Sequence, residues 1–591
     1  MQERKVNVLV KGPLMVKCGY QSHMLNAVES LSLVPWIQLG CEPTNWGSLS
    51  WENFDSFRYP TFMQLIQSGE RMKQTRDIDV FMWFTIPPEM EPQGILNILC
   101  TAGLECDRTP PEYMDGCNKS DITIVPSVHA YNSLAKVVYD LQDKRTGQTQ
   151  QKRVQVPVKI IPEFRHREFY SLKYLKEHGK EEMEKIAELT KTNKKTHVVR
   201  EFLDSIDTEF NFLINGLWSE PGEDADRKNI HTAIKLFLEA FIGQRDVGLI
   251  AKISCGPTTA WDFLETKKRI EYIKSEVALK HGTPISTLPP VYLLHGYLSD
   301  YDLHQLYFSD KVKVFYHLGR EGYGLPILES AMAGCPIIAM NWSGYIDFLQ
   351  DKFIKIPHKM DKVPPSACKY GIREDFEWAY PDKDETKRML RRIKEKYILP
   401  KEQAIKLAMS DELNKLNIEE IGNQYAELIA PMYELKNMNS FGLTSRGMLT
   451  IINDVIELKK DGSKVMMVCL PGAAGDIVMM THLLKKLRDK FKDHKLMFAT
   501  SPQYFNIIEN CPYIDKVVQY HPDFDNTQLT KGILDKVFSP HFACQLLISN
   551  PLSKEQNIVE IYANYLGVDA SEYPDYCWTP TLKEPVPEKE K

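Results

Sequence analysis

Glu321 and Glu329 stand on either side of seven residues in the run His317-Leu-Gly-Arg-Glu-Gly-Tyr-Gly-Leu-Pro-Ile-Leu-Glu-Ser-Ala-Met-Ala-Gly-Cys-Pro-Ile-Ile-Ala. A buried strand is expected to end at His317, a glycine-bearing loop to follow, and a helix to begin near Pro326, where proline's missing N–H costs nothing. Gly322 and Gly324 let the backbone approach a ligand closely. The unpaired N–H groups opening the helix lie at the positive end of its dipole and suit a phosphate. The spacing puts one carboxylate in the loop and one in the first helical turn, both able to face a single cleft. Carboxylates grip hydroxyls, while amides and cations take phosphates. The ligand class that combines these demands is a phosphorylated polyol such as a nucleotide sugar. An ordinary strand-loop-helix turn with two solvated glutamates would explain a lone Gly-x-Gly, but not the whole string.

The elements that must position these groups alternate strand and helix, which predicts α/β architecture with parallel sheets covered on both faces. Strands are expected at Lys5–Val10, Asp79–Thr85, Ile95–Thr101 and Ile122–Pro126, with a polar hairpin or loop between Gln142 and Arg153. A second series follows at Phe210–Gly216, Gly248–Ser254, Val291–Leu294 and Val312–His317, with helices at Ile230–Phe241 and Asp300–Phe308. Amphipathic helical spacing covers Asp384–Tyr397 and Glu402–Glu434. A third strand-loop-helix unit begins at Lys464. The expected division is an acceptor-side lobe over 1–205, a donor-side lobe with C-terminal helices over 206–436, a linker and helix over 437–462, a smaller lobe over 463–580 and a frayed tail over 581–591.

A chain of 591 residues corresponds to roughly three or four folding units. Its hydrophobic (43%), aromatic (10%) and charged (26%) fractions are those of an average soluble chain, which argues against disorder as the main theme. Lys+Arg of 73 against Asp+Glu of 79 leaves a net charge of -6. That balance does not suit a surface that wraps nucleic acid everywhere, although a local basic groove stays open. No apolar run approaches the roughly 20 residues of a membrane span, and the first ten residues lack a signal peptide's apolar core. The twelve cysteines form no Cys-x-x-Cys pair. Buried free thiols in a reducing cytosol are expected, with no zinc and no disulfide frame.

At the level of whole motifs, the run from His317 resembles the signature of retaining family 4 glycosyltransferases of the GT-B fold. Asn211–Trp218, Arg227–Phe237, Gly248–Ser254 and Asn341–Phe348 resemble the same family's donor lobe. Thr101–Arg108 and Asn118–Ser127 resemble its N-terminal lobe, and the resemblance spans roughly residues 5 to 435. It implies a nucleotide-diphosphate sugar as donor, a hydroxyl acceptor on a glycan, small molecule, protein or modified DNA, retention of configuration, and no obligatory metal or cofactor. Glu321 would contact the transferred sugar and Glu329 the ribose hydroxyls. Gly322, Tyr323, Gly324 and Leu325 would offer amides, Lys228 would neutralise the diphosphate, and Gly19 would sit in a loop closing over the reaction centre. Leu217 and Trp218 follow Gly216 where the family carries an arginine, so Arg227 or Arg320 is the candidate replacement. The family's N-terminal histidine has no clear equivalent, which leaves His129, Glu105 and Asp107 as acceptor-side candidates.

The third unit, Lys464-Val-Met-Met-Val-Cys-Leu-Pro-Gly-Ala-Ala-Gly-Asp, places Asp476 at a helix start, where an acidic cap is favourable. It resembles the acceptor-side lobe of family 9 glycosyltransferases, the heptosyltransferase group, in which Asp476 would match the general base. The nucleotide-binding half expected after it is absent. An accessory or acceptor-binding lobe, a structural remnant, and an active half completed by another chain all stay open. Two rivals for the whole protein also stand: a catalytically silent sugar-nucleotide module, and a transferase acting on modified DNA bases, with Lys191–Lys195 and Lys267–Arg269 lining a groove.

Overall fold

The computed structural model describes residues 5–16, 18–46, 58–142, 149–179, 196–218, 220–256, 258–369, 371–438, 445–543 and 558–570. The basic run at 191–195, residues 439–444 of the expected linker and the tail from 581 lie outside them.

The first lobe contains β1 (Val6–Gly12), β2 (Ile37–Pro43), β3 (Val80–Phe84), β4 (Leu96–Cys100), β5 (Ile122–Val125), the ribbon strands β6 (Tyr139–Gln142) and β7 (Thr149–Lys152), and β8 (Val158–Ile160). Its sheet runs β2-β1-β3-β4-β5-β8, parallel from β1 through β8. β3 and β4 are buried at every position, as a strand covered on both faces must be. The polar stretch after Tyr139 folds back as the antiparallel β6–β7 ribbon.

The second lobe carries β9 (Phe210–Leu217), β10 (Val247–Ser254), β11 (Val291–Leu293), β12 (Val312–His317), β13 (Ile337–Met340) and β14 (Ile354–Ile356). They form one parallel sheet in the order β11-β10-β9-β12-β13-β14. That is the doubly wound arrangement, in which the order of strand addition reverses between β9 and β12, the first and fourth strands of the lobe, while every strand stays parallel. One apolar cluster packs Ile234, Phe237 and Ile273 against Phe212, Leu249 and Tyr316. A second packs Leu306, Leu328 and Met332 against Leu213, Ile250 and Phe315. The alternating positions of β9 thus face two cores. An antiparallel pair, β15 (His358–Lys362) and β16 (Glu377–Pro381), follows β14, and its Trp378 joins an apolar cluster with Leu9, Phe81 and Leu99 of the first lobe.

The expected helical stretch from Glu402 to Glu434 is broken into Ile398–Ala408, Asp411–Asn414 and Ile418–Met438. Ser410 accepts from the Leu413 N–H, and Asn417 accepts from the N–H groups of Glu419 and Glu420. Each side chain starts a new helix by satisfying its orphan donors.

Residues 7–426 form one compact unit, and residues 1–6 with 427–591 form another. In the latter, β17 (Lys464–Cys469), β18 (His494–Thr500), β19 (Lys516–Gln519) and β20 (Lys536–Phe538) make a parallel sheet in the order β19-β18-β17-β20. The fold class is therefore α/β: two Rossmann-like lobes in one compact unit, as the GT-B expectation requires, and a smaller Rossmann-like lobe.

Candidate functional site

In an open α/β sheet, ligands bind outside the carboxyl ends of the strands where strand order reverses. In the second lobe that point lies between β9 and β12, and the loops after these strands carry Lys228 and Glu321. The Lys228 loop is built by Asp226. Its buried carboxylate accepts from the N–H groups of Lys228 (3.0 Å) and His231 (2.9 Å), capping the helix Ile230–Ala240 from outside. Asn229, in left-handed conformation at φ 51°, donates from Nδ2 to the Leu318 carbonyl at 2.8 Å. A Cβ on Gly319 would lie 2.8 Å from the His317 ring and 2.9 Å from the Lys228 carbonyl. Glycine is thus what lets the two loops press together.

Where they meet, the Lys228 ammonium donates to Glu321 Oε2. His317 Nε2 stands 3.4 Å from Glu321 Oε1, without the alignment of a hydrogen bond. Burial alone would raise the Glu321 carboxyl, but Lys228, His317 and Arg227 outweigh it and hold the group well below the usual carboxylate range. Burial pushes Lys228 down to about 8 against the pull of Glu321. The Glu321 backbone is fixed too, its N–H donating to Ser343 Oγ at 3.0 Å and its carbonyl accepting from Gly344 N–H at 3.1 Å.

The helix Leu325–Met332 starts at Gly324, which adopts φ 105°. Glu329 therefore sits in its second turn, one turn deeper than the sequence suggested. At 3% exposure, its Oε1 accepts from Arg165 Nε at 2.7 Å and its Oε2 from the Tyr307 hydroxyl at 2.9 Å. Asn215, near the end of β9, donates in turn to Tyr307 at 2.9 Å. Burial raises the Glu329 carboxyl despite Arg165 and Tyr307. Lys252, at the end of β10, is pushed down to about 8 by burial, opposed by Glu329.

Several of these groups lie where the two lobes touch. Ser127 Oγ donates to the Gly322 carbonyl at 2.5 Å, and a Cβ on Gly322 would lie 2.8 Å from the Ala102 carbonyl oxygen. Arg227 donates to Glu105 across the same boundary. Tyr323 is buried, and its hydroxyl donates to the Glu163 carbonyl at 2.7 Å; Leu325 is buried beside it in the same apolar cluster.

The remaining candidates fall elsewhere or in other roles. Asp107 exchanges backbone and side-chain bonds with Glu377 at 3.1 and 2.7 Å, which makes it a clasp to β16. His129 packs edge-on against Trp342 at 4.5 Å, and burial pushes it down to about 4. Gly19 opens the helix Gly19–Ser32 with nothing within 4 Å of a Cβ. Asp476 lies in the first turn of the helix Ala474–Lys490 of the separate compact unit. Arg320, the other candidate for the missing phosphate charge, lies inside the fold. It is 1% exposed, lies over the rings of Trp378 (4.2 Å) and Tyr380 (4.9 Å), and donates to the Ala379 carbonyl at 3.0 Å. Trp218 is buried in the core, so the position after Leu217 offers no charge either.

No family model and no curated protein matches the chain. Among solved structures, Anabaena HepE in complex with UDP and glucose is similar, at 12% identity over 72% of this chain and 99% of that one, with a TM-score of 0.44. WaaG, a glycosyltransferase involved in lipopolysaccharide biosynthesis, is 12% identical over 72% and 99% of the two chains, with a TM-score of 0.40. An E. coli trehalose-6-phosphate structure bound with UDP-2-fluoro glucose is 12% identical over the same shares, with a TM-score of 0.38.

Sequence reasoning did not find Glu163, Arg165, Tyr307, His317 or Ser343 as members of the site. Glu163 and Arg165 share the segment after β8, while Tyr307, His317 and Ser343 come from three other elements or loops, and the only local signal for the first two is an acid and an arginine following a short strand. Among the described residues no group of three or more His, Cys, Asp or Glu could hold a metal ion, and no helix is long and apolar enough to cross a membrane.

Proposed function

We propose that this protein is a glycosyltransferase that moves a sugar from a nucleotide-diphosphate donor to a hydroxyl acceptor with retention of configuration. The observation that carries the reading is the Lys228–Glu321 pair at the reversal point of the second sheet, beside the boundary between two lobes. Each charge of the pair satisfies the other. An entering diphosphate takes Lys228 as its counter-ion, which frees the Glu321 oxygens to accept hydroxyls of the transferred sugar. The helix opened at Gly324 and the amides of Gly322, Tyr323 and Leu325 add fixed dipoles beside the same anion.

As the bond between the sugar's anomeric carbon and the phosphate oxygen breaks, negative charge grows on the diphosphate. Lys228 stands ready for it, with Arg227 next in the chain. Preorganised groups of this kind contribute roughly 3 kcal/mol each to lowering a barrier. The acceptor oxygen forms its bond on the face the diphosphate leaves, and its proton passes to a departing phosphate oxygen. Glu329, already held by Arg165 and Tyr307, keeps a lone pair for a ribose hydroxyl. In this reading residues 1–205 supply the acceptor side, 206–436 the donor side, and the third lobe an accessory or acceptor-binding function in which Asp476 takes part.

The test is product analysis with a panel of nucleotide sugars, UDP-glucose among them, and a panel of hydroxyl acceptors. Release of nucleoside diphosphate with a glycoside of unchanged anomeric configuration is expected. Binding without release would make the chain a silent module, and an inverted product would remove the retaining assignment.

A further inference from the structure

Glu163 follows β8 and is 5% exposed. Its Oε2 is shielded from solvent and has no hydrogen-bond partner. The backbone around it is pinned on both sides: the Glu163 carbonyl accepts from Tyr323, and the Phe164 N–H donates to Asn26 Oδ1 at 2.9 Å. A buried polar atom without a partner costs about 1–3 kcal/mol, and native structures rarely keep one without a use for it. The groups facing this carboxyl are Arg165, Glu321, Tyr323 and Tyr425. Burial pushes it up to about 8, with Glu321 adding to the rise and Arg165 opposing it. At neutral pH it carries its proton, while Glu321 beside it is ionised against Lys228.

Two neighbouring carboxyl groups whose surroundings drive their titrations apart divide the roles of donor and acceptor between them. Glu321 can only accept hydrogen bonds, and Glu163 has an O–H to give. We infer that Glu163 is a further substrate-contacting residue of the site, a neutral carboxylic acid that donates a hydrogen bond to a hydroxyl oxygen of the transferred sugar. The inference rests on the glycosyltransferase reading. It accounts for an acid held among Arg165, Glu321, Tyr323 and Tyr425 with one carboxyl oxygen left unpaired.

Glu163→Gln and Glu163→Leu, compared in the full-length protein with the nucleotide sugar that turns over, test this. The glutamine amide replaces the O–H donor, so kcat/KM is expected to fall no more than ~3-fold, whereas leucine, which leaves a sugar hydroxyl unpaired, should lower it ~10-fold or more. Thermal denaturation separates this role from a structural one, because Glu163→Leu removes an unsatisfied buried group and should leave Tm unchanged or higher. Full activity in Glu163→Leu, equal losses in both variants, or a lowered Tm that accounts for the lost activity would each overturn the inference. Absence of turnover and of nucleotide-sugar binding in the wild-type protein would instead sink the glycosyltransferase reading beneath it.

Discussion

The Lys228 ammonium donates to the Glu321 carboxylate, although the two residues arrive from loops after strands separated in sequence by two intervening strands. They meet because β9 and β12 are neighbours in the sheet, and because Gly319 leaves room for the Lys228 carbonyl. The pair is largely buried, with side-chain exposures of 18% and 13%. Its partners therefore depend on each other more than a surface pair would.

Breaking this pair from one side should be worse than removing both charges. Lys228→Met leaves Glu321 buried without its main counter-charge, at an expected cost of about 3 kcal/mol. Lys228→Met with Glu321→Gln should recover at least half of that, read as a coupling term in urea denaturation. Additive losses would mean that the two side chains do not share a charge.

For catalysis, Glu321→Ala and Lys228→Ala should each lower kcat/KM ~100-fold with a competent donor, the equivalent of roughly 3 kcal/mol of transition-state stabilisation. Steady-state kinetics on both variants checks this. Wild-type turnover in both would remove these residues from the reaction.

The alkaline limb should report two protons. Lys228 must be charged to hold the diphosphate, and Glu163 must keep its proton to donate; both titrate at about 8. Raising the pH through that value removes the ammonium charge and the acid proton together, so activity is lost above about 8 rather than below it. The log kcat/KM profile should fall with a slope of about −2 in the wild type and about −1 in Glu163→Gln. Identical slopes would exclude Glu163 from the titration.

Gly322→Ala should force the lobes apart, since its Cβ would lie 2.8 Å from the Ala102 carbonyl oxygen, a backbone atom that cannot rotate away. The expected cost is about 1–3 kcal/mol of stability. Gly19→Ala, with open space around its Cβ, should change stability by no more than about 0.5 kcal/mol. Thermal denaturation of the two variants compares them directly.

His23 sets an acid limit on stability. Both ring nitrogens are buried without partners, the ring lies edge-on to Phe84 at 4.9 Å, and burial pushes its titration down to about 3. The folded value lies below the unfolded one, so the contribution is present above about 6.5 and is lost as pH falls toward 3. About 2 kcal/mol should be lost between pH 8 and pH 5 through this residue. His23→Leu should abolish that share of the slope in denaturation curves at the two pH values.

Much of the architecture was legible in the residues. β12 ends at His317, as the apolar run before the glycines indicated, and the helix after Gly324 begins within a residue of the expected start. The stretch from Glu402 to Glu434 was less legible, because Ser410 and Asn417 read as ordinary polar positions until their side chains are seen capping new helices. Arg320 looked like a phosphate ligand because charge next to a glycine loop suggests exposure. In the fold its guanidinium is sandwiched against aromatic rings.

Local pattern alone determined which segments are strands, where the glycine loop opens a helix, and which glutamates, lysines and glycines flank that loop. These depend on periodicity, capping and φ preference, all settled within a few residues. Which side chains then meet was decided only by tertiary structure: Lys228 on Glu321, Arg165 on Glu329, Ser127 on Gly322, and the isolation of Glu163. Those pairings depend on the order in which strands assemble and on two lobes closing. Neither is written into the spacing of any one segment, because the Coulomb and desolvation energies involved exist only once distant loops share a buried space.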